Sequence, residues 1–437
     1  MPFFSFDVHL PDLARSGFAI VLGNPPWVRA ERLPPATRRA LASRFRWWRA
    51  PPSAGYRHLP DLSVAFLERS LELARPGGAV ALLLPSKLAS SGYGETARTQ
   101  LVREATVTYL HRVPDRQASA FGATTYPLAV VVKKQAPSAT HVVKLGFDGA
   151  QHIRQRALYS PGSWILVPDR TRDAMQRFLE AGTPLARMAP ASLGVKTGAD
   201  RLFVGTTCAS NGHTALVRLD GGEYQIETSL LRPALHGRDV KPFRVGSTHV
   251  VIWAYQNGAP LESLPPNAAA YFAARTTRLK QRADDAGGPP WTLFRLRAGL
   301  AGHRVVWPDI ALHPSAVALE ETDLAAAVPL NTCYVTHTPD RATALTVAMI
   351  LNSTWARAIA LATADEARGG YRRINARVAG QMPVPAGPTR SALAAFGAAA
   401  HRNRHADQDQ LDDAVGDALG LPAASRDLLR RFVAHHG

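Results

Sequence analysis

The pattern of apolar positions divides the chain into two rhythms. A continuous apolar run, Phe18-Ala19-Ile20-Val21-Leu22, reads as a fully buried strand. Between Asp61 and Ala74, Leu62, Phe66, Leu67, Leu71 and Leu73 recur at roughly helical spacing, which predicts a helix with Glu68, Arg69 and Glu72 off its apolar face. Pro76-Gly77-Gly78 is expected to end that helix as a C-cap, ahead of a buried strand, Ala79 to Leu84, closed by Pro85. A second helix over about Gly94 to Glu104 leads to a strand, Val107 to Leu110. A loop, Pro114 to Thr125, and an apolar strand, Leu128 to Val132, follow. Strand, helix, strand, helix, strand and strand predict the back half of a doubly wound α/β domain.

From about Pro137 the regular alternation gives way to short mixed segments with Pro/Gly punctuation. Gly194-Val-Lys-Thr-Gly198, Leu230 to Pro242 and Arg304-Val-Val-Trp-Pro308 read as parts of a β-rich or mixed domain. An apolar helix is expected over about Ala342 to Ala360. The chain from Thr389 is alanine- and charge-rich and reads as a helical hairpin broken at Gly420-Leu421-Pro422. The most apolar long window, Ala342 to Ala362, is interrupted by Asn352, Ser353 and Arg357, so it reads as a buried helix and not a membrane span. No secretory signal is read at the N-terminus, and a cytoplasmic location is expected. Cys208 and Cys333 are isolated, with no metal-ligand spacing, and no metal site is expected.

The end of the first strand carries the chemistry. Phe18–Leu22 runs through Gly23 into Asn24-Pro25-Pro26-Trp27. Two prolines cannot continue a central strand, because each lacks an N–H for the ladder. The chain therefore leaves the sheet as a stiff shelf at the carboxyl end of a strand, where open α/β sheets bind ligands. The Asn24 side chain and the Pro25 carbonyl can each accept one N–H of an exocyclic amine, while Trp27 stacks on the attached ring. A turn with an exposed Trp is the plainer alternative. Just beyond, Trp47-Trp48 is flanked by Arg44, Arg46 and Arg49. Such interleaving suits phosphate and base contacts, or equally a packed surface helix.

A net charge of +17 changes the picture from any ligand to a polyanion. The charge is spread along the chain, and arginine greatly outnumbers lysine, which composition alone can also produce.

These residues carry a resemblance. Asn24-Pro-Pro-Trp27, Asp61-Leu-Ser-Val-Ala-Phe66, Arg75-Pro-Gly-Gly-Ala-Val-Ala-Leu-Leu-Leu-Pro85 and Phe121 before an apolar strand fall in the order and spacing of the γ-class DNA adenine-N6 methyltransferases. The chain looks most like their type IIG restriction–modification members. Leu235-His-Gly-Arg238-Asp239-Val-Lys241-Pro is similar to the Gly-Arg-Asp turn of their target-recognition domain, and Leu351-Asn352-Ser353, Gln381 to Pro385 and Leu411 to Leu421 resemble later segments.

The resemblance implies an α/β fold: a partial doubly wound, Rossmann-like methyltransferase domain (1–136), a mixed α/β target-recognition domain (137–385) and a helical tail (386–437). It implies methyl transfer from S-adenosylmethionine to a flipped adenine in duplex DNA, within a restriction–modification or phage-defence system. Asn24, Pro25, Pro26 and Trp27 would form the catalytic shelf, and Phe121 would stack on the target base. Phe66 and Asp61 would lie at the cofactor, and Lys196, Arg232, Arg238 and Lys241 are candidate DNA contacts. The alternative is a catalytically inactive DNA-binding module that keeps the shelf as a turn. Glutamine-directed methyltransferases share the shelf but lack a long basic region after it. The family's cofactor motifs precede the shelf, and only seventeen residues precede the shelf strand here. Much of the cofactor site is therefore expected from a partner polypeptide, unless the chain is an inactive relic.

Overall fold

The computed structural model describes residues 6–48, 60–113, 126–159, 163–285 and 287–436. The chain divides into two compact units, one of residues 1–173 with 362–371, the other of residues 174–361 with 372–437.

The first unit is built on a six-stranded sheet. Its strands are β1 (Phe18–Gly23), β2 (Ala74–Pro85), β3 (Thr106–Arg112), β4 (Pro127–Lys133), β5 (Val142–Leu145) and β6 (Gln151–Arg154), in the order β1-β2-β4-β3-β5-β6. β1 and β2 run parallel, and β4 lies antiparallel between β2 and β3. Among the described residues the longer helices of this unit are α1 (Pro35–Arg44), α2 (Leu62–Leu73) and α3 (Glu95–Glu104). Val64, Ala65, Leu67 and Leu71 of α2 join Leu101 and Val102 of α3 over Val80, Leu82 and Leu84 in one apolar core. Asp61 caps α2 by accepting from the Ser63 N–H at 3.0 Å.

The end of α2 differs from its sequence reading. The strand starts at Ala74, directly after the helix, and Pro76-Gly77-Gly78 forms a bulge inside it. Phe18 pairs with Ala74 and Ile20 with Ala79, so five positions on β2 advance against two on β1. The helix's orphan carbonyls are met by a side chain from elsewhere: the Lys134 ammonium donates to the carbonyls of Glu72 (2.9 Å) and Ala74 (2.7 Å). Gly78 is required by close approach, since a Cβ there would stand 2.8 Å from the Phe18 carbonyl oxygen.

The second unit contains a largely antiparallel sheet of β7 (Val204–Ser210), β8 (Thr214–Leu219), β9 (Gly222–Glu227), β10 (Leu231–Leu235) and β11 (His249–Ile252), ordered β9-β8-β7-β11-β10, with Val328–Pro329 parallel to β10 at its edge. A second sheet centres on β12 (Arg304–Pro308), flanked by Val317–Ala318 and Cys333–His337. Helices α4 (Arg341–Asn352), α5 (Thr354–Thr363), α6 (Gly387–Asn403), α7 (Gln408–Ala418) and α8 (Ala423–His436) follow. Among the described residues no single helix is long and apolar enough to cross a membrane. The apolar window is two helices, α4 and α5, bent by 64°, and Thr343 to Asn352 is buried throughout.

Polar contacts explain several segments that the sequence marks. Asn352 pairs with the backbone of Ala316 through both ends of its amide, at 2.7 and 2.9 Å. Asp412 accepts from the Thr354 N–H at 2.8 Å, which ties α7 to the start of α5. Part of the positive charge is structural: buried Arg98, Arg282 and Arg304 all donate to backbone carbonyls.

Candidate functional site

β1 pairs with β2 as far as Gly23 opposite Leu82 and then leaves the sheet. That departure leaves the Leu83 carbonyl without a strand partner on this side, and the Trp27 indole Nε1–H donates to it at 3.2 Å. The next carbonyl but one along the chain from Pro26, that of Val28, accepts from the Leu62 N–H at 2.9 Å, where α2 begins. The shelf is thus fastened to a central strand and to a helix N-terminus. Pro25 is buried, Trp27 half-buried, and Asn24 and Pro26 exposed. Neither the Asn24 side chain nor the Pro25 carbonyl has a hydrogen-bond partner among the described residues. Two free acceptors beside a fixed aromatic face can take the two N–H groups of a planar amine.

Phe66 is 43% exposed, while its neighbours Val64, Ala65 and Leu67 are buried. It therefore stands off the apolar face that its spacing suggests, as an aromatic surface on α2. Asp61 is buried and its carboxylate is engaged at the helix cap. Phe121, the other proposed stacking residue, lies outside the described residues. S-adenosylmethionine needs partners for its ribose and methionine parts as well as an aromatic face. Phe66 and a capping Asp61 do not make such a site by themselves.

The Trp47-Trp48 segment takes the packing alternative. Both indoles are about 1% exposed and belong to the core of the first unit. The turn is clamped by Glu68, a buried carboxylate that accepts from the Arg46 N–H (3.0 Å) and the Trp47 N–H (2.7 Å). Trp48 Nε1–H donates to the Asp61 carbonyl at 3.2 Å. Arg44 makes a bidentate pair with Glu72 at 2.9 and 2.7 Å, and Arg46 reaches Glu104 at 3.1 Å. The acidic residues of α2, which periodicity places toward solvent, hold this segment and neutralise its cations. Arg49 lies outside the described residues.

In the second unit the Gly-Arg-Asp segment forms a tight 3-10 turn, Gly237–Asp239, after β10. Asp239 accepts from the His236 N–H at 2.8 Å, and the Gly237 N–H donates to Thr332 Oγ1 at 2.9 Å. A Cβ on Gly237 would come within 2.7 Å of the Thr332 carbonyl oxygen, so only glycine fits. The turn runs into a small hairpin in which Lys241 pairs with Arg244 across Phe243, whose φ is +61°. Arg238, Lys241 and Arg244 are all exposed. Arg244 was not among the residues the sequence singled out; a cation three positions from Lys241 around a turn was its only signal. Arg238 has its Nε 3.9 Å from the Asp239 carboxylate but stays exposed, whereas the other two candidates are held more closely. Lys196 is ion-paired with Asp284. Arg232 lies over the Trp253 ring at 4.9 Å, and burial followed by the charge of Arg304 holds its guanidinium below the usual arginine range.

Comparison with known proteins finds a family match to part of this chain. Residues 3–118 match the model of the Eco57I restriction-modification methylase family. The chain is 29% identical over 124 residues to the type II methyltransferase M.XhoI of Xanthomonas vasicola, which covers 28% of this chain and 21% of that protein. It is 25% identical over 213 residues to the type II methyltransferase M.PaeR7I of Pseudomonas aeruginosa, covering 43% and 35% respectively. The matches thus span about a fifth and about a third of the length of these curated relatives. Among solved structures, the type IIL restriction-modification enzyme MmeI in complex with DNA shares the fold. Its TM-score is 0.57 at 12% identity, covering 95% of this chain and 57% of that one.

Proposed function

We propose, from the restriction-modification methylase segment carried by residues 3–118, that the chain is the base-presenting and DNA-reading part of a site-specific DNA adenine-N6 methyltransferase. The observation that carries this reading is the pair of unpartnered acceptors, Asn24 and the Pro25 carbonyl, beside an indole fixed to Leu83.

An adenine amine is a poor nucleophile because its lone pair is delocalised into the ring. Two acceptors that take its N–H bonds out of the ring plane favour the pyramidal form. Their partial negative charges also favour the positive charge that develops on nitrogen, without reorganisation at the moment of reaction. Bringing the base to the shelf requires flipping, at a cost of a few kcal/mol. Stacking on Trp27, and on Phe121 from the other side, offsets about 1–3 kcal/mol per base. In the second unit Arg238, Lys241 and Arg244 supply the DNA contacts; Lys196 and Arg232 act chiefly in holding the unit together. The methyl donor is S-adenosylmethionine, and the setting is a cytoplasmic restriction–modification system.

The cofactor-holding strands come from a further polypeptide segment that docks beside β1. Among the described residues β1 is an edge strand, paired only with β2 and open on its other side. Ile20 and Leu22 point to the face away from the α2 core and are 68% and 81% exposed. They continue the row of Ala79, Ala81 and Leu83, which is only half-buried. Such a row calls for an apolar covering layer.

A second reading is favoured by the engagement of Asp61 at the helix cap: a DNA-binding module without methyl transfer, in which the shelf is a turn. Deleting the chain from its source cells and sequencing native DNA separates the two. Loss of N6-methyladenine from one fixed motif is expected, and unchanged methylation at every motif leaves the module.

A further inference from the structure

One cluster in the second unit is not used by the proposed function. His236, Asp239 and His249 each offer a ligand atom, and those atoms lie within 4.8 Å of one another. The His236 Nδ1 is 3.6 Å from Asp239 Oδ2, and the two imidazole rings meet edge to face with centroids 5.0 Å apart. The chain brings them together by its turns. His236 and Asp239 sit at the two ends of the 3-10 turn, and the hairpin returns the chain so that His249 opens β11, two strands that pair as neighbours.

Among the described residues the buried Nδ1 of His249 has no hydrogen-bond partner, and the buried Nδ1 of His236 has at most a loose capping contact from the Asp239 N–H. A buried ring nitrogen left unmatched is costly, and in a native protein it asks for a specific explanation. Two imidazoles that each offer a ring nitrogen within 4.8 Å of a carboxylate oxygen, one of them with a buried unmatched nitrogen, have one economical explanation, a shared cation.

We propose that His236, Asp239 and His249 form a binding site for a divalent transition metal of the zinc class. Two imidazoles and one carboxylate suit zinc, cobalt or nickel, whereas magnesium and calcium favour all-oxygen shells. Zinc–nitrogen and zinc–oxygen distances of about 2.0–2.2 Å require the three side chains to draw in slightly on the ion. The Asp239 carboxylate is already oriented for this by the His236 N–H, the kind of outer contact that steers metal ligands. Three protein ligands leave a fourth position for water.

The consequence is local. The metal joins β11 to the turn that presents Arg238 and, through the hairpin, Lys241 and Arg244. It fixes that turn and adds net positive charge beneath its exposed cations. The site depends on the second unit alone and stands whether or not the chain takes part in methyl transfer.

The test uses the full untagged chain after chelator treatment and dialysis, titrated with Zn²⁺ by calorimetry and with Co²⁺ by visible absorption. One equivalent of zinc is expected, with the absorption of a low-coordinate Co²⁺ site that excess Zn²⁺ removes. His249→Gln and His236→Asn are expected to weaken zinc binding by at least tenfold. Equal zinc affinity and stoichiometry in the wild type and both variants overturns the site. If a variant fails to fold, the wild-type Co²⁺ spectrum decides alone, and a purely octahedral, water-like spectrum overturns the proposal.

Discussion

The Trp27 indole donates to the Leu83 carbonyl at 3.2 Å, where β2 has lost its neighbour because β1 turns out of the sheet. One hydrogen bond therefore repairs the strand that the shelf abandons and fixes the aromatic face that the shelf presents. Trp27→Phe keeps a stacking ring but leaves a half-buried carbonyl unmatched. A loss of about 1 kcal/mol in stability is expected by urea unfolding, with weaker retention of a flipped base. Unchanged stability and DNA affinity would show that the indole N–H has no positioning part.

Glu68 is expected to be the most sensitive acidic residue of α2. Its carboxylate serves two backbone N–H groups of the Trp47-Trp48 turn, at 3.0 and 2.7 Å. Glu68→Ala leaves the buried Trp47 N–H unpaired, at about 1–3 kcal/mol before relaxation, and the part-buried Arg46 N–H at less. The same change at Glu72, whose partners Arg44 and Arg69 are more exposed, is expected to cost less than about 1 kcal/mol. Equal effects would remove the distinction.

Much of the first unit was legible in sequence because its signals are local. The apolar run of β1, the helical spacing of α2 and the proline stop at the shelf each depend on neighbouring residues. What was not legible depends on distant partners. Pro76-Gly77-Gly78 looks like a helix cap, but Lys134 supplies the cap and the glycines form a bulge. Trp47-Trp48 looks like a nucleic-acid grip until Glu68 is seen to clamp its backbone. Phe66 falls on the apolar stripe by spacing yet stands exposed, since nothing among the described residues covers that part of α2. The approach of His249 to His236 is set by a hairpin whose turn needs Phe243 in the left-handed region, a conformation no pattern announces.

Acid is expected to destabilise the second unit through His401. Its Nδ1–H donates to the Gly397 carbonyl at 2.7 Å and its Nε2 accepts from the Ala318 N–H at 2.9 Å, so the neutral ring uses both nitrogens. Burial holds its pKa below the ordinary histidine value of 6.5. The unfolded chain then binds the proton more readily. The contribution is fully present above the unfolded pKa and is lost as pH falls through the folded one. His401→Gln keeps an acceptor without the proton, and a flatter dependence of unfolding free energy on pH below about 6.5 is expected. An identical slope would exclude His401 as the origin.

Leu22 tests the uncovered face of β1. Leu22→Asp is expected to leave the α2 core intact, since the side chain is 81% exposed. It should abolish docking of a cofactor-carrying segment, as read by light scattering of the mixture. Docking that survives this change would place that segment elsewhere.

Arg238 tests the recognition turn. Duplex-DNA affinity of the chain is expected to fall steeply with salt, and Arg238→Ala to reduce the slope of log affinity against log salt by about one if it meets a phosphate. A salt-independent affinity would contradict phosphate contacts by the exposed cations of this unit.

Native-DNA sequencing of source cells carrying Asn24→Ala in place of the wild-type chain, at equal protein level, tests the shelf most directly. N6-methyladenine is expected to disappear from one motif, with DNA affinity of the purified variant changed by less than about threefold. Full methylation in the variant would contradict the assignment of Asn24 as an acceptor for the target amine.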